Sequence, residues 1–442
     1  MAIARNSDQF LLDAYTGQGG FITGAYLVQH HSESSEAFAR RQALAVYPNF
    51  VRKIVDVYLG LLWRQAPSRD AGEAYAAFAV NADGAGHNLD YLLASYQRLA
   101  MLLGTVYVIV DKPITPSATR ADEKPPYIAH RLPAHLVRSS VDSSGVWFSV
   151  TFSEMSDGAA VYRTFTRTGW VLSEDAAGTR IIAQGEHGLG RVPVVALHSA
   201  YPINPTDKRA MSWVFDLVQL NWSLYNMESG LNALFRDQEF SVFAMPVSDG
   251  TERERLQQEG LVLGTQNGLL YDPANGGEPK FIAPPDGPVK QHMEKNAATV
   301  QDLYRIANLE FVGGVQQSGV ALSFHFQEAN SALSTMADLC EQAEREIAQL
   351  VHAWQGQVFE GHIAYPRDFN LTDVAQALTL AMDAVSLSLS PRFDRELKKR
   401  LVKQILGSDT APDVLAAIDA EIDADGDVYG DRVAQAAGSA GP

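Results

Sequence analysis

The sequence predicts an α+β chain in which a helical start, a β-rich middle and a succession of long helices follow one another. Three observations predict it. The hydrophobic period changes from about four residues to two at Gly104. Seven apolar residues from Trp213 to Leu234 are spaced 4, 3, 4, 3, 4, 3. Three prolines and a glycine in the five residues "PPDGP" (284–288) mark a firm boundary inside the helical half.

The first hundred residues are helical by pattern. Pro48 precedes Phe50, Val51, Ile54, Val55, Tyr58, Leu59 and Leu62, an i, i+4 apolar stripe. Asn88 is placed to cap a second helix whose stripe is Leu89, Leu92, Leu93, Tyr96, Leu99 and Leu103. From Gly104 the segments "GTVYVIVDK", "PYIAHRL", "VWFSVTF", "AVYRTFTRTGWVLS" and "VPVVALHS" are rich in β-branched and aromatic residues and broken by turn formers. The β-rich part runs to about residue 200 and closes at "YPINPTDK".

A long helix follows. Trp213, Leu217, Leu220, Leu224, Met227, Leu231 and Leu234 form a narrow seam of three heptads, about 33 Å long. Two readings stand: a core-facing amphipathic helix, or a helix packed beside copies of itself. Residues 241–287 differ in texture. "SVFAMPV" and "PKFIAP" are strand-like, and "TERERLQQ" is a short polar helix. "LVLGTQNGLLYDP" is a hairpin whose Asn267-Gly268 is a type I′ turn signal. Helical periodicity then resumes with Val289, Met293, Ala297, Val300, Tyr304 and Ala307. One helix leads out to a small α/β lobe and a second leads back.

The stretch "GGVQQSGVALSFHFQEANSALSTMADLC" (313–340) comes next, and no Lys or Arg occurs between Ile306 and Glu344. It predicts a bendable loop before a further long helix. On that helix Leu333, Cys340, Ile347 and Trp354 repeat every seven residues, with Met336, Ala343 and Leu350 at +3. Cys340 is accordingly a small core residue rather than a nucleophile. Three short helices follow Pro366. Asn370 caps the first, Ser390-Pro391 starts the second, Gly407 ends it, and Asp409 or Thr410 caps the third. The tail "GDRVAQAAGSAGP" is small and polar.

Composition narrows the function. Of 442 residues, 52 are Asp or Glu and 35 are Lys or Arg, a net charge of −17 that argues against a clamp for nucleic acid. It leaves room for a protein that touches DNA and lets it move. Residues 1–10 carry Arg5 and Asp8 without an apolar core, so no secretory signal is expected. Leu99 to Val110 is too short to span a bilayer, and one cysteine permits no intrachain disulfide. A soluble protein of a reducing compartment is expected.

Catalytic and ligand motifs are scarce. The sequence has no phosphate-binding loop, no H-E-x-x-H and no G-x-S-x-G. "GLGRVP" (188–193) lacks a third glycine and enters a strand, so it is a turn. "EIDADGD" (421–427) imitates a calcium loop but has Arg432 where the bidentate Glu belongs. The eleven histidines make no defensible metal spacing. "RELKKRLVK" (395–403) is the one dense basic run, a solvated helix face or a DNA-facing patch. No cofactor and no acid–base pair can be nominated.

The order of segments resembles that of tailed-bacteriophage portal proteins, the head–tail connectors of the DNA-packaging vertex. The resemblance is carried by "YPNFVRKIVDVYLGLLWRQAP" (47–67), "VPVVALHSAYPINPTDKRAMSWVFDLVQLNWSLYN" (192–226), "SGVALSFHFQEANSALSTMADLCEQAEREI" (318–347) and "YPRDFN" (365–370). It covers nearly the whole chain and rests on order and spacing, since no single motif is diagnostic. It implies a non-catalytic homo-oligomeric ring, usually a dodecamer, around a channel for double-stranded DNA. The ring sits at the capsid vertex of a virion and is assembled in the host cytoplasm. The partners implied are the terminase large subunit, a head–tail adaptor and the major capsid or scaffold protein, with no membrane.

Carried over by segment, 1–208 resembles the wing, 209–238 and 289–310 the paired stem helices, and 239–288 the clip. Residues 311–327 resemble the tunnel loop, 328–365 the long helix connecting wing and crown, and 366–425 the helical crown, with 426–442 a tail. Subunit packing then falls to the seam from Trp213 to Leu234. Clip partner binding falls to Glu252, Arg253, Glu254, Arg255, Asn267 and Gly268. Channel contact falls to Gly313, Gly314, Gln316, Gln317, Ser318, Gly319, Phe324 and His325. A loop facing a moving polyanion has a physical reason to lack cations, because each Lys or Arg on a phosphate releases counterions and makes DNA stick. Alternatively 313–326 is a plain surface loop. Two rival functions remain: another ring-forming virion component, and a soluble enzyme with a site near "GEHGLGRVP" in the β-rich half.

Overall fold

The computed structural model describes residues 5, 7–113, 124–204, 206–238, 242–247, 251, 254, 268–271, 278, 280–282, 287–309, 319–367, 369, 390–406 and 414–424. Residues 1–367 make one compact unit and 368–442 a second.

The chain opens with short helices α1 (Asp8–Thr16), α2 (Gly20–Thr23) and α3 (Ser35–Ala43), followed by α4 (Phe50–Leu62). Asn49 caps α4 by accepting from the Arg52 amide, and Val51, Ile54, Val55, Tyr58, Leu59 and Leu62 are buried, the stripe the sequence carries. Strand β1 (Ser68–Asp70) and α5 (Gly72–Val80) lead to α6 (Leu89–Leu103), which Asn88 caps through the Tyr91 amide. Gly104 ends α6 at φ 86° and turns the chain into a strand. A Cβ there would stand 2.2 Å from the Ala210 carbonyl oxygen, so the junction requires glycine.

Two sheets form the β-rich part. In the first, β2 (Thr105–Asp111) lies between β3 (Tyr127–Arg131) and β9 (Val194–His198), antiparallel to both. In the second, β4 (Leu136–Val141), β5 (Trp147–Ser156), β6 (Ala159–Thr166), β7 (Gly169–Ser173) and β8 (Ile181–Glu186) run as an antiparallel meander. Their shared core is Tyr107, Ile109, Trp147, Val150, Phe152, Phe165, Val192 and Val194.

The helical half holds α7 (Phe215–Gln238), α8 (Gly287–Ile306) and α9 (Gly319–Trp354). Helix α7 is pinned to the N-terminal segment by side chains. Asn221 donates to the Pro48 carbonyl (2.8 Å) and accepts from the Phe50 and Val51 amides (2.9 and 3.2 Å). Trp222 donates to Tyr26 O (2.8 Å) and Tyr225 to Phe21 O (2.9 Å). Between α7 and α8, β10 (Val242–Pro246) is flanked by β11 (Gly268–Tyr271), parallel to it, and β12 (Lys280–Ile282), antiparallel. Gly268 begins β11 and pairs with Phe243, whereas Asn267 and the first arm of the expected hairpin lie outside the described residues.

Helix α9 begins nine residues earlier than the expected boundary at 328, so Gly319, Phe324 and His325 belong to a helix and not to a loop. No Gly or Pro follows Gly319 until Gly356, and the helix propagates backwards once nucleated. Its heptad residues Leu333, Met336, Cys340, Ala343, Ile347 and Leu350 are buried, as their spacing predicts.

At the centre of this unit is a buried carboxylate. Glu344 of α9 is 0% exposed. It accepts from Arg69 of β1 through Nε (2.5 Å) and Nη2 (3.1 Å), from Tyr75 of α5 (3.2 Å) and from Tyr365 (2.6 Å). Arg69 also reaches Asp90 of α6 at 2.5 Å. Tyr365 follows β13 (His362–Ala364), which pairs with β1. Five elements thus meet on one charge.

In the second unit, α10 (Pro391–Leu406) starts behind Ser390, whose hydroxyl accepts from the Phe393 amide at 3.1 Å. Lys399 ties it to Asp423 of a helix at 414–424 at 2.6 Å. The expected helix after Asn370 and the caps at Asp409 or Thr410 lie outside the described residues.

Replacing Glu344 by Ala strands Arg69 without its partner and should destabilise unit one by about 3–5 kcal/mol. The double change Arg69→Met with Glu344→Leu should recover most of that loss. Urea midpoints of the three proteins check it.

Candidate functional site

The seam on α7 divides into two sides. Leu217, Leu224 and Leu231 are buried with Val214, Val218 and Tyr225, because α1, α3, α4 and α8 of the same chain pack on that side. They offer nothing to a second copy, which corrects the expectation that the whole seam faces neighbours. Trp213 precedes the helix and lies against Tyr58 at 4.6 Å between ring centroids. Leu220, Met227 and Leu234 remain half-buried on the flank, seven residues apart. An apolar line one heptad in period is what a neighbouring helix packs against.

Helix α8 packs on α7 through a polar face. Asn296 and Thr299 are buried with Leu303 and Tyr304, whereas Met293 and Ala297 of the expected stripe are exposed. Asn296 donates to Glu228 at 2.8 Å, and this bond sets which face turns inward. At the other end Lys53 donates to the Tyr304 hydroxyl (3.0 Å) and Tyr58 to the Ala307 carbonyl (2.7 Å). The α7–α8 pair is thereby rooted on α4. Lys290, Lys295 and Arg305 are exposed on α8, with Glu294 between them.

Of the residues assigned to the channel, Gly313, Gly314, Gln316, Gln317 and Ser318 lie outside the described residues. Glu252, Arg253, Arg255 and Asn267 of the lobe do too. Glu254 is exposed.

The histidines are shaped by burial. The Thr105 hydroxyl accepts from the Ala210 amide (2.8 Å) and is also hydrogen-bonded to Nδ1 of His198 at 2.8 Å. Burial, with Lys208 adding repulsion, pushes the His198 pKa down to about 4. His198 borders a cavity of about 450 Å³ with Trp147, Tyr201, Lys208, Gln342 and Glu346. His187, in the "GEHGLGRVP" turn, is buried against Trp354, and burial lowers its pKa as well. Burial drives the Cys340 thiol well above its usual range, opposite to what a nucleophile needs. Among the described residues no three His, Cys, Asp or Glu converge to hold a metal.

No family model matches the chain, and no curated protein matches it. Solved structures resemble it loosely. A chain in the neck of an empty gene transfer agent particle, computed with sixfold symmetry, is 13% identical over 84% of this chain and 95% of that one, with a TM-score of 0.45. A chain in the virion of a native gene transfer agent particle is 14% identical over 86% and 94%, with a TM-score of 0.42. Another, in the neck of a native particle computed with twelvefold symmetry, is 13% identical over 88% and 98%, also at 0.42. A likeness this loose carries no conclusion about function.

The depressed His198 pKa makes stability depend on pH. Between the unfolded value near 6.5 and about 4, the unfolded chain binds the extra proton. Its contribution, about 3 kcal/mol, is complete above pH 6.5 and is lost as pH falls towards 4. His198→Gln should flatten that part of the acid arm, read from urea midpoints at pH 7.5, 5.5 and 4.5.

Proposed function

We propose that this chain is the subunit of a portal ring at the capsid vertex, through which double-stranded DNA is packaged and ejected. The observation that carries it is the α7–α8 pair. Two long helices rest on each other and on α4. A separate small sheet lies between them in sequence, and an apolar line of Leu220, Met227 and Leu234 is half-buried on the flank. That is the form expected of a stem and clip whose flank packs against the next subunit. A closed ring uses this flank on every copy, so no subunit is left with it exposed.

In this reading residues 1–208 form the wing, 239–288 the clip and 366–425 the crown. The clip docks the terminase large subunit and later the head–tail adaptor, and the wing meets capsid or scaffold protein. The channel segment is shorter than the resemblance implies, since α9 already starts at Gly319. It comprises 311–318, with Gly313, Gly314, Gln316, Gln317 and Ser318. The absence of Lys and Arg from Ile306 to Glu344 lets DNA pass without being held, and the −17 charge keeps it off the outer surface. The protein does no chemistry of its own and takes no cofactor.

The divided seam gives a test. Leu220→Asp and Met227→Asp should each weaken the subunit contact by roughly 2–3 kcal/mol, since a carboxylate must be desolvated there. Both should sediment as folded monomers with native circular dichroism. Leu224→Asp, buried in the chain's own core, should lose the fold itself. Assembly that survives both flank changes would rule the stem interface out. Separately, deleting 311–318 should leave assembly intact and reduce DNA packaging in a reconstituted reaction. Unchanged packaging would contradict the role given to that segment.

A further inference from the structure

The five-stranded sheet ends in two strands that are paired on one side only. Its order is β4-β5-β6-β7-β8, and no described segment completes the outer edge of β4 or β8. Natural edges are blunted by Lys, Pro or short strands. Strand β8, "IIAQGE", has six residues and neither Lys nor Pro, and Ile181 and Ile182 are 52% and 50% exposed. Strand β4, "LVRSSV", also has six and neither blocker. Its register shifts fall at its two ends, leaving Arg138 to Ser140 in regular pairing. Two open edges of equal length on one sheet are a template for another strand.

Charge and direction say which strand. Arg138 is the only charge on β4 and Glu186 the only charge on β8. The ladder Arg138–Thr151–Thr164–Val171–Gln184 puts Arg138 and Gln184 on one face of the sheet. Glu186, two residues on, shares that face. Every step across the sheet is antiparallel, so after four steps β4 and β8 run the same way. With Arg138 opposite Gln184 of another copy, Glu186 lies on the diagonal within reach of the guanidinium.

We propose that β8 of one copy pairs in parallel with β4 of the next, continuing the sheet across the subunit boundary. The contact uses different edges on the two copies, so it is heterologous and propagates until a ring closes. The inference rests on the ring reading above and adds a second contact, remote in sequence from α7.

Cysteine pairs test it in the intact protein, because Cys340, the only native thiol, is buried. Ser140→Cys and Gln184→Cys are placed in one chain, which is treated with a short bismaleimide and run on a denaturing gel. The double variant should give a ladder of covalent dimers, trimers and higher species, and neither single variant should give any. Adding Arg138→Glu should lower the yield about threefold to fivefold, the worth of one exposed ion pair. Adding Glu186→Arg to that variant should restore it. Rings visible by negative stain without a ladder, or a dimer from Gln184→Cys alone, overturn this pairing and leave the ring. Wild-type protein that is monomeric in solution overturns both.

Discussion

The larger unit is organised around one charge that water cannot reach. Glu344 must be balanced where it sits, because an unpaired carboxylate in the interior costs several kcal/mol. Arg69, Tyr75 and Tyr365 balance it, and Asp90 takes the remaining reach of the guanidinium. These residues come from β1, α5, α6, α9 and the segment after β13. The chain cannot satisfy the charge until its N-terminal helices and α9 have found one another. Apolar residues of the same helix, Cys340 and Ile347 among them, are buried too, and the ionic contact ties α9 to β1 in one register.

That register fixes what is left for function. With α9 seated on β9 and β2, and α4 holding α7 and α8 at one end, the inner side of α7 is committed to the chain's own core. Its flank is left half-buried. The two sides of the helix therefore differ: Leu217, Leu224 and Leu231 are buried in the chain's own core, and the proposed ring gives the half-buried Leu220, Met227 and Leu234 to a neighbour. The polar contact between Asn296 and Glu228 ties α8 to α7 in a direction-specific way without adding apolar surface.

Much of this was legible in the sequence, and the reasons differ by element. The cap at Asn88, the turn at Gly104 and the heptads of α9 depend on neighbours within a few residues, so local pattern reveals them. The Glu344–Arg69 contact joins residues 275 apart, and no spacing rule anticipates it. The 4,3 repeat of α7 announces an apolar seam but cannot divide it between the chain's own core and a neighbour. Met293 was misplaced because α8 turns a polar face inward, against the pattern that apolar periodicity follows. Residues 319–327, expected in a loop, belong to α9, because the helix runs without a break from Gly319 to Trp354.

The proposed ring depends on neighbours: it gives the α7 flank, the open sheet edges and the cation-free window their roles only if copies surround an axis. Negative-stain class averages of the unmodified protein, purified without DNA, address that claim most directly. Top views should show a closed ring with a stain-filled central hole, and side views a broad tier above a narrower stem. A field of single compact particles of about 48 kDa, unchanged when the protein is concentrated, would contradict it.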